Sequence, residues 1–236
     1  MQVIPAIDLR DGACVQLVGG SYADERVRIA DPLAVAERWA RLGFGRIHLV
    51  DLDGATERGS NREIVRAILG GCAKVQCGGG VRDLDTIAEL LAAGASEVVL
   101  GTRAIEDRAW LEEAVARHPN RIIVAADARA RLLVTRGWAE TDSQSVIDFV
   151  EGLSSLPLAA LLVTAVEREG RMEGPDLPLM REIALRSKAP VQASGGVCSV
   201  SDIRRLAELG VSAVIVGMAL YTGALNPQTI IEEFPE

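Results

Sequence analysis

Aromatic residues are scarce: Phe, Trp and Tyr together make up 3% of the 236-residue chain. That removes the stacked side-chain platform on which single-stranded nucleic acids usually bind. Positive charge is also short. Lys and Arg number 25 against 33 Asp and Glu, a formal net charge of −8, and no basic run offsets the deficit. No nucleic-acid partner is expected. Histidine occurs twice, and the four cysteines (Cys14, Cys72, Cys77 and Cys198) form no C-x-x-C pair. No metal site is expected from such spacings, and the cysteines read as small hydrophobes with reduced thiols. The longest strongly apolar run, at 158–166, falls well short of the roughly 20 residues that span a bilayer. The opening Met1-Gln2-Val3-Ile4-Pro5 has no basic segment before an apolar one, so no secretory signal is expected. The expectation is a cytoplasmic protein with no membrane partner.

What the chain does have is a repeat. The stretch Gly78-Gly79-Gly80-Val81-Arg82 leads to Val98-Val99-Leu100-Gly101-Thr102, and Ser194-Gly195-Gly196-Val197 leads to Val214-Ile215-Val216-Gly217-Met218. Gly80 and Gly196 lie 116 residues apart, as do Gly101 and Gly217. Ile87/Ile203, Leu90/Leu206, Gly94/Gly210, Ser96/Ser212 and Val98/Val214 keep the same register. Each glycine follows an apolar run of strand length and precedes a helical pattern. Free backbone N–H groups and the positive end of a helix dipole meet there, an arrangement suited to a phosphate. Any one such glycine pair is more often a turn, but four in register point to two anion sites. The ligand they imply is a small-molecule bisphosphorylated sugar.

In chain order, short apolar runs fall at 3–7, 47–52, 74–77, 97–100, 122–126, 160–164, 190–193 and 213–216. Each is followed by a helical pattern or a short helical turn. Asp31-Pro32 opens one helix and Gly43 closes it. A loop is expected at 12–30 and another at 167–176, both candidate lids, with a short two-strand excursion near 132–135. Strands buried on both faces read as unbroken apolar runs. Eight βα units in this length predict a closed (β/α)8 TIM barrel as a single domain, 1–236, with an open doubly wound sheet as the lesser option. The repeat suggests two fused half-barrels, roughly 1–119 and 120–236.

A barrel of this kind keeps its chemistry at the C-terminal ends of its strands. Asp8 ends the first strand and Asp127 the fifth, equivalent places in the two repeats and opposite each other across eight strands. Phosphate sites at strands 3–4 (Gly79, Gly80, Arg82, Gly101, Thr102) and 7–8 (Ser194, Gly195, Gly196, Gly217, Met218) would flank them. One carboxylate must take a proton and the other, held protonated, must give one; which does which is open at this point. Arg82 could hold phosphate or pair with a carboxylate within the barrel. His48, inside an apolar strand, reads as a hydrogen-bonded core residue. His118 reads as a surface residue at a helix end.

Taken together, Ile4-Pro5-Ala6-Ile7-Asp8-Leu9, His48-Leu49-Val50-Asp51-Leu52-Asp53-Gly54-Ala55, the two glycine clusters and Asp127 with Gly137-Trp138 resemble one family. It is the phosphoribosylformimino-5-aminoimidazole carboxamide ribotide isomerases of histidine biosynthesis, and the resemblance covers essentially the whole chain. It implies an Amadori rearrangement of an aminoaldose to an aminoketose without a cofactor. It further implies Asp8 as base at the sugar C2′, Asp127 as acid in ring opening, and Thr164 as a supporting residue. Trp138 would stack on the imidazole. Gln16 stands where the family has arginine, Val18-Gly19-Gly20-Ser21 replaces a glutamine–glycine–acidic run, and Ala165 replaces an acidic residue. Glu169-Gly170 replaces aspartate–glycine and keeps a supporting carboxylate, one methylene longer.

Three rivals stand beside this reading, and the loop departures at 16–21 and 165–169 keep the second of them open. The related cyclase of the same pathway is disfavoured by Ala6 and by the lack of lysine between positions 11 and 31. An isomerase also acting on phosphoribosyl anthranilate differs only in its loops. A non-catalytic phosphate-sugar binder would need neither aspartate. A monomer is the expectation.

Overall fold

The computed structural model describes residues 1–71 and 73–235. Cys72, read above as a small hydrophobe, lies outside the described residues. The chain opens with β1 (Gln2–Arg10), β2 (Ala13–Val18), β3 (Ser21–Ile29), α1 (Pro32–Leu42) and β4 (Arg46–Asp51). Then come α2 (Leu52–Ala55), α3 (Arg62–Leu69), β5 (Lys74–Gly78), α4 (Leu84–Ala92), β6 (Glu97–Leu100), α5 (Thr102–Glu106), α6 (Arg108–Arg117) and β7 (Ile122–Ala125). The remainder is β8 (Ala128–Arg129), β9 (Leu132–Thr135), β10 (Glu140–Ser145), α7 (Val146–Gly152), β11 (Ala160–Thr164), α8 (Leu177–Arg186), β12 (Val191–Ser194), α9 (Val200–Glu208), β13 (Ala213–Val216), α10 (Met218–Tyr221) and α11 (Pro227–Glu233). Among the described residues no helix is long and apolar enough to cross a membrane.

Eight strands pair in parallel in the order β1, β4, β5, β6, β7, β11, β12, β13, and β13 returns to β1 through Gln2↔Ala213 to Pro5↔Val216. This closed parallel barrel is the fold predicted. Two apolar layers result from the alternation of side chains along each strand. Ile4, Ala6, Val99, Ile123, Ala125, Leu162 and Ile215 fill the inside. Ile7, Leu49, Val98, Val124, Val163 and Val214 face the helices. Also buried are Gln76, Gln192 and His48. The two glutamines exchange amide hydrogen bonds at 2.8 and 3.1 Å, and Gln76 Nε2 lies 2.9 Å from His48 Nδ1. Burial pushes the His48 pKa down to about 4, so it is the neutral, hydrogen-bonded core residue expected.

The segment at 12–30, expected as a loop, is instead an antiparallel hairpin. Past the barrel, β1 turns at Asp11 and Gly12 and pairs with β2 from Asp8↔Val15 onward, and β2 pairs with β3. Gly19 and Gly20, at φ 57° and 70°, form the two-residue tip, the left-handed pair that a tight hairpin needs. The excursion after β7 has three strands, β8 to β10, rather than two. The following helix, α7, starts at Val146, where the Ser145 side chain accepts from Ile147 N. Short helices α5 and α10 follow β6 and β13 directly. Helix α1 is as read: Asp31 accepts from Ala34 N, Pro32 is its first residue, and Gly43 closes it at φ 108°.

Candidate active site

Asp8 lies where β1 leaves the barrel, and Asp127 lies just beyond β7, four strands away around the circle. Thr164 and Ser194 end β11 and β12, and Gly101 and Gly217 follow β6 and β13. Parallel strands put all these ends on one face. The βα segments at 52–61, 136–139 and 167–174, with the hairpin tip, close over it. Gly19 N–H donates to Glu169 O at 3.0 Å. A Cβ on Gly170 would stand 2.3 Å from Leu17 O, and one on Gly20 would stand 2.5 Å from the Trp138 ring. Two of these closing segments, the hairpin and 167–174, fall within the lids expected from sequence, though the first is a strand pair.

Beneath this roof three carboxyl groups lie half-buried together. Burial pushes Asp8 up to about 7, aided by the charge of Glu169. Burial likewise pushes Glu169 up to about 7, aided by Asp127 and opposed by the Ser194 hydroxyl, 3.4 Å away. Asp127 is also raised by burial, while hydrogen bonds from Trp138 and Thr164 favour its ionised form; Trp138 Nε1–H donates to Asp127 Oδ2 at 2.7 Å. Glu169 therefore feels Asp127 and is felt by Asp8. No cation is among the causes of these shifts, and each charge opposes ionisation of its neighbour. Among the described residues no group of three His, Cys, Asp or Glu side chains is placed to hold a metal ion.

The glycine clusters repeat in space as they do in sequence. Gly79 and Gly195 both have φ 101°, and a Cβ on either would meet the preceding βα segment: 2.3 Å from Asp51 O and 2.7 Å from Ala165 O. Gly80 and Gly196 would each come 2.5 Å from a carbonyl, of Gly54 and Gly174. Close backbone approach thus demands glycine at these positions with no ligand present. Gly101 and Gly217 share a second geometry (φ −103°, ψ −114° and φ −105°, ψ −100°) and precede α5 and α10. One small cleft is lined by Glu169, Gly195, Gly196, Gly217 and Met218. On the strand 3–4 side, Thr102 Oγ1 accepts from Arg136 N at 2.8 Å. Arg82 lies at the rim, where its guanidinium donates to Gly54 O at 3.1 Å and pairs with Glu57 at 3.2 Å. It pairs with a rim carboxylate, not one within the barrel.

Two features escaped the sequence reading. Gln16, noted only as a departure, is buried: its Nε2 donates to Asp8 Oδ2 at 3.4 Å and its Oε1 covers Gly217. Asp51 and Asp53 turn out to be organisers. Asn61 Nδ2 donates to both, at 2.7 and 2.9 Å, Gly54 N caps onto Asp51 at 3.0 Å, and Asp11 N donates to Asp53 at 2.7 Å. They tie the hairpin base to the β4–α2 turn. Acidic residues flanking a strand end were a visible signal; their partner, ten residues beyond Asp51, was not.

The family model described as Histidine biosynthesis protein matches residues 2–226. A relative from Gemmatimonas aurantiaca is 57% identical over 235 residues, covering 99% of each chain. One from Myxococcus xanthus is 48% identical over 236 residues, again 99% of each. One from Gloeothece citriformis is 41% identical over 237 residues, 98% of this chain and 92% of its own. All three are named 1-(5-phosphoribosyl)-5-((5-phosphoribosylamino)methylideneamino)imidazole-4-carboxamide isomerase.

Proposed function

The chain belongs to the histidine biosynthesis protein family, and from that premise we propose that it is the isomerase its relatives are named for. It converts N-(5-phosphoribosylformimino)-5-aminoimidazole-4-carboxamide ribotide from aminoaldose to aminoketose. The observation that carries the reading is the pair of half-buried carboxyls, Asp8 and Asp127, on opposed strand ends with Glu169 electrostatically coupled to each. The chemistry needs one proton delivered and one removed. Asp127, in the proposal, gives its proton to the ribose ring oxygen; the C1′–O bond breaks as the nitrogen lone pair forms the C1′=N⁺ iminium. Asp8 takes the C2′ proton, the electron pair of that C–H bond neutralises the iminium, and the enol-amine so formed tautomerises to the C2′ ketone. A raised carboxyl pKa suits both tasks, since an acid must hold its proton until it is needed and a base must bind one firmly. Glu169, sharing charge with both, keeps one proton resident among the three.

The two glycine groups, with Thr102 and Arg82 on one side and Ser194 and Met218 on the other, hold the substrate's end phosphates in this reading. Trp138 leaves Asp127 to stack on the imidazole when substrate enters. The activity is placed in the cytoplasm, in keeping with the free thiols of Cys14, Cys77 and Cys198 among the described residues. The test is turnover of the aminoimidazole ribotide beside phosphoribosyl anthranilate by the parent, Asp8→Asn and Asp127→Asn proteins. Each variant is expected to lose at least about 10²-fold in kcat while still binding a bisphosphate. Unchanged turnover in either variant overturns the assignment; equal turnover of the anthranilate would widen the substrate range.

A further inference from the structure

Strand β1 changes partners in the middle. Its pairing with β13 ends at Pro5↔Val216, and its pairing with β2 begins at Asp8↔Val15. Between them, on that edge, residues 6 and 7 have no strand partner. A backbone carbonyl left bare in a buried place destabilises the fold, and here it is answered from elsewhere. Tyr221, the last residue of α10, donates its hydroxyl to Ala6 O at 2.7 Å. The same oxygen lies 3.3 Å from Cys14 Sγ and accepts from Trp39 Nε1 at 3.3 Å. Cys14 sits on β2 opposite Leu9, next to the Asp8↔Val15 pair that joins the two strands.

A hydroxyl has one proton to give and two lone pairs. With that proton on Ala6 O, the thiol of Cys14 must donate to Tyr221. The contacts form a loop that leaves β1 at Ala6, passes through Tyr221 to Cys14 on β2, and returns to β1 through the strand pairing at Asp8↔Val15. It brackets the peptide units that carry the Asp8 side chain. We propose that Tyr221, with Cys14 as its link, is a positioning residue that fixes the backbone of Asp8 for proton transfer. Burial keeps both groups protonated, as the loop requires: the Cys14 thiol is pushed up to about 12 and the Tyr221 hydroxyl well above its ordinary 10. Tyr221 also packs edge-on against Trp39, ring centroids 5.4 Å apart, so its ring is held independently of the hydroxyl. Because Tyr221 closes the short helix that starts after Gly217, the loop also ties the β13 end of the site to β1.

The inference rests on the reading of Asp8 as the base. Tyr221→Phe keeps the ring and removes the loop. It is expected to lower kcat about 10- to 100-fold, the scale of a misplacement near 1 Å, with KM changed by less than about threefold. Cys14→Ala should lower kcat in the same direction, and Cys14→Ser, which can still donate and accept, should recover most of it. Phe44→Leu, in the same core beside Trp39 but off the loop, measures the effect of lost stability alone. A Tyr221→Phe enzyme with a lowered Tm but a kcat no lower than that of Phe44→Leu overturns the proposal. So do equal activities for Cys14→Ala and Cys14→Ser, a comparison that stands even if Tyr221→Phe does not fold. Asp8→Asn separates the two ideas: if it retains turnover the base assignment falls, whereas if it is inactive and Tyr221→Phe is not, only the positioning role falls.

Discussion

At the scale of single residues the site is held at a cost to the fold. Unfolded, Asp8 gives up its proton near 3.8; folded, it keeps it until about 7. Between those values the folded state binds the extra proton, so this group's contribution to stability falls as pH rises through the window and is gone above 7. The full displacement is on the order of 4 kcal/mol at most. Asp8→Asn cannot ionise, so its Tm is expected to exceed the parent's by at least about 3 °C at pH 8, with a much smaller difference at pH 4.5. Thermal unfolding at the two pH values checks this. Catalysis moves the other way, since the base must be ionised: activity should rise with pH through about 7 on the acid side. Glu169→Gln removes a negative neighbour that raises Asp8, so the acid limb of the kcat/KM profile should shift to lower pH. A limb that stays put would separate Glu169 from Asp8. The roles of Asp8 and Asp127 as facing groups could be read from their places at equivalent strand ends. Glu169 was legible only as a supporting carboxylate, because its link to both depends on where a nonregular segment folds.

At the scale of elements, the glycine turns carry two demands in one sequence signal. Gly79 sits at φ 101° with Asp51 O in the space a Cβ would take. Gly79→Ala is expected to destabilise the barrel by at least about 2 kcal/mol. Gly152→Ala, at the end of α7 with nothing within 4 Å, should stay within about 0.5 kcal/mol of the parent. Urea midpoints at constant slope would measure both. The hairpin β2–β3 shows where element reading fell short. Its two-glycine tip was in plain view, but β3 (Ser21–Ile29) alternates with few buried positions and so lacks the apolar run that marked the barrel strands. Its partner is β2, and it packs across the mouth rather than in the wall.

At the scale of the whole molecule, Gln76 and Gln192 meet inside the barrel from strands four places apart, on opposite sides of its circle. They occupy equivalent positions of the sequence repeat, 116 residues apart. Gln76→Leu leaves the Gln192 amide and His48 without their partner and is expected to cost about 1–3 kcal/mol. The double change Gln76→Leu with Gln192→Leu should recover part of that loss, because both members of the pair then become apolar. A double mutant as unstable as the sum of the singles would show that the pair is not a unit. The roof over the carboxyls is also a property of the whole. It joins the hairpin tip, the 136–139 turn and the 167–174 segment, three parts that are distant along the chain.

The order of strands, the barrel class, the repeat, the facing aspartates and the glycine turns were all determined by sequence alone. Each rests on a local signal: apolar runs of strand length, glycine where backbones crowd, charge at strand ends. Tertiary structure alone decided the rest. It made the segment at 12–30 a hairpin, sent Arg82 to a rim carboxylate, buried Gln16 beside Asp8, and joined Cys14, Tyr221 and Ala6 in one loop of hydrogen bonds. Those outcomes depend on which groups meet across 8 to 215 residues of chain, and on how little water reaches them once they do. Neither distance through space nor exclusion of water is written in the local pattern, and both set the proton affinities on which the proposed chemistry depends.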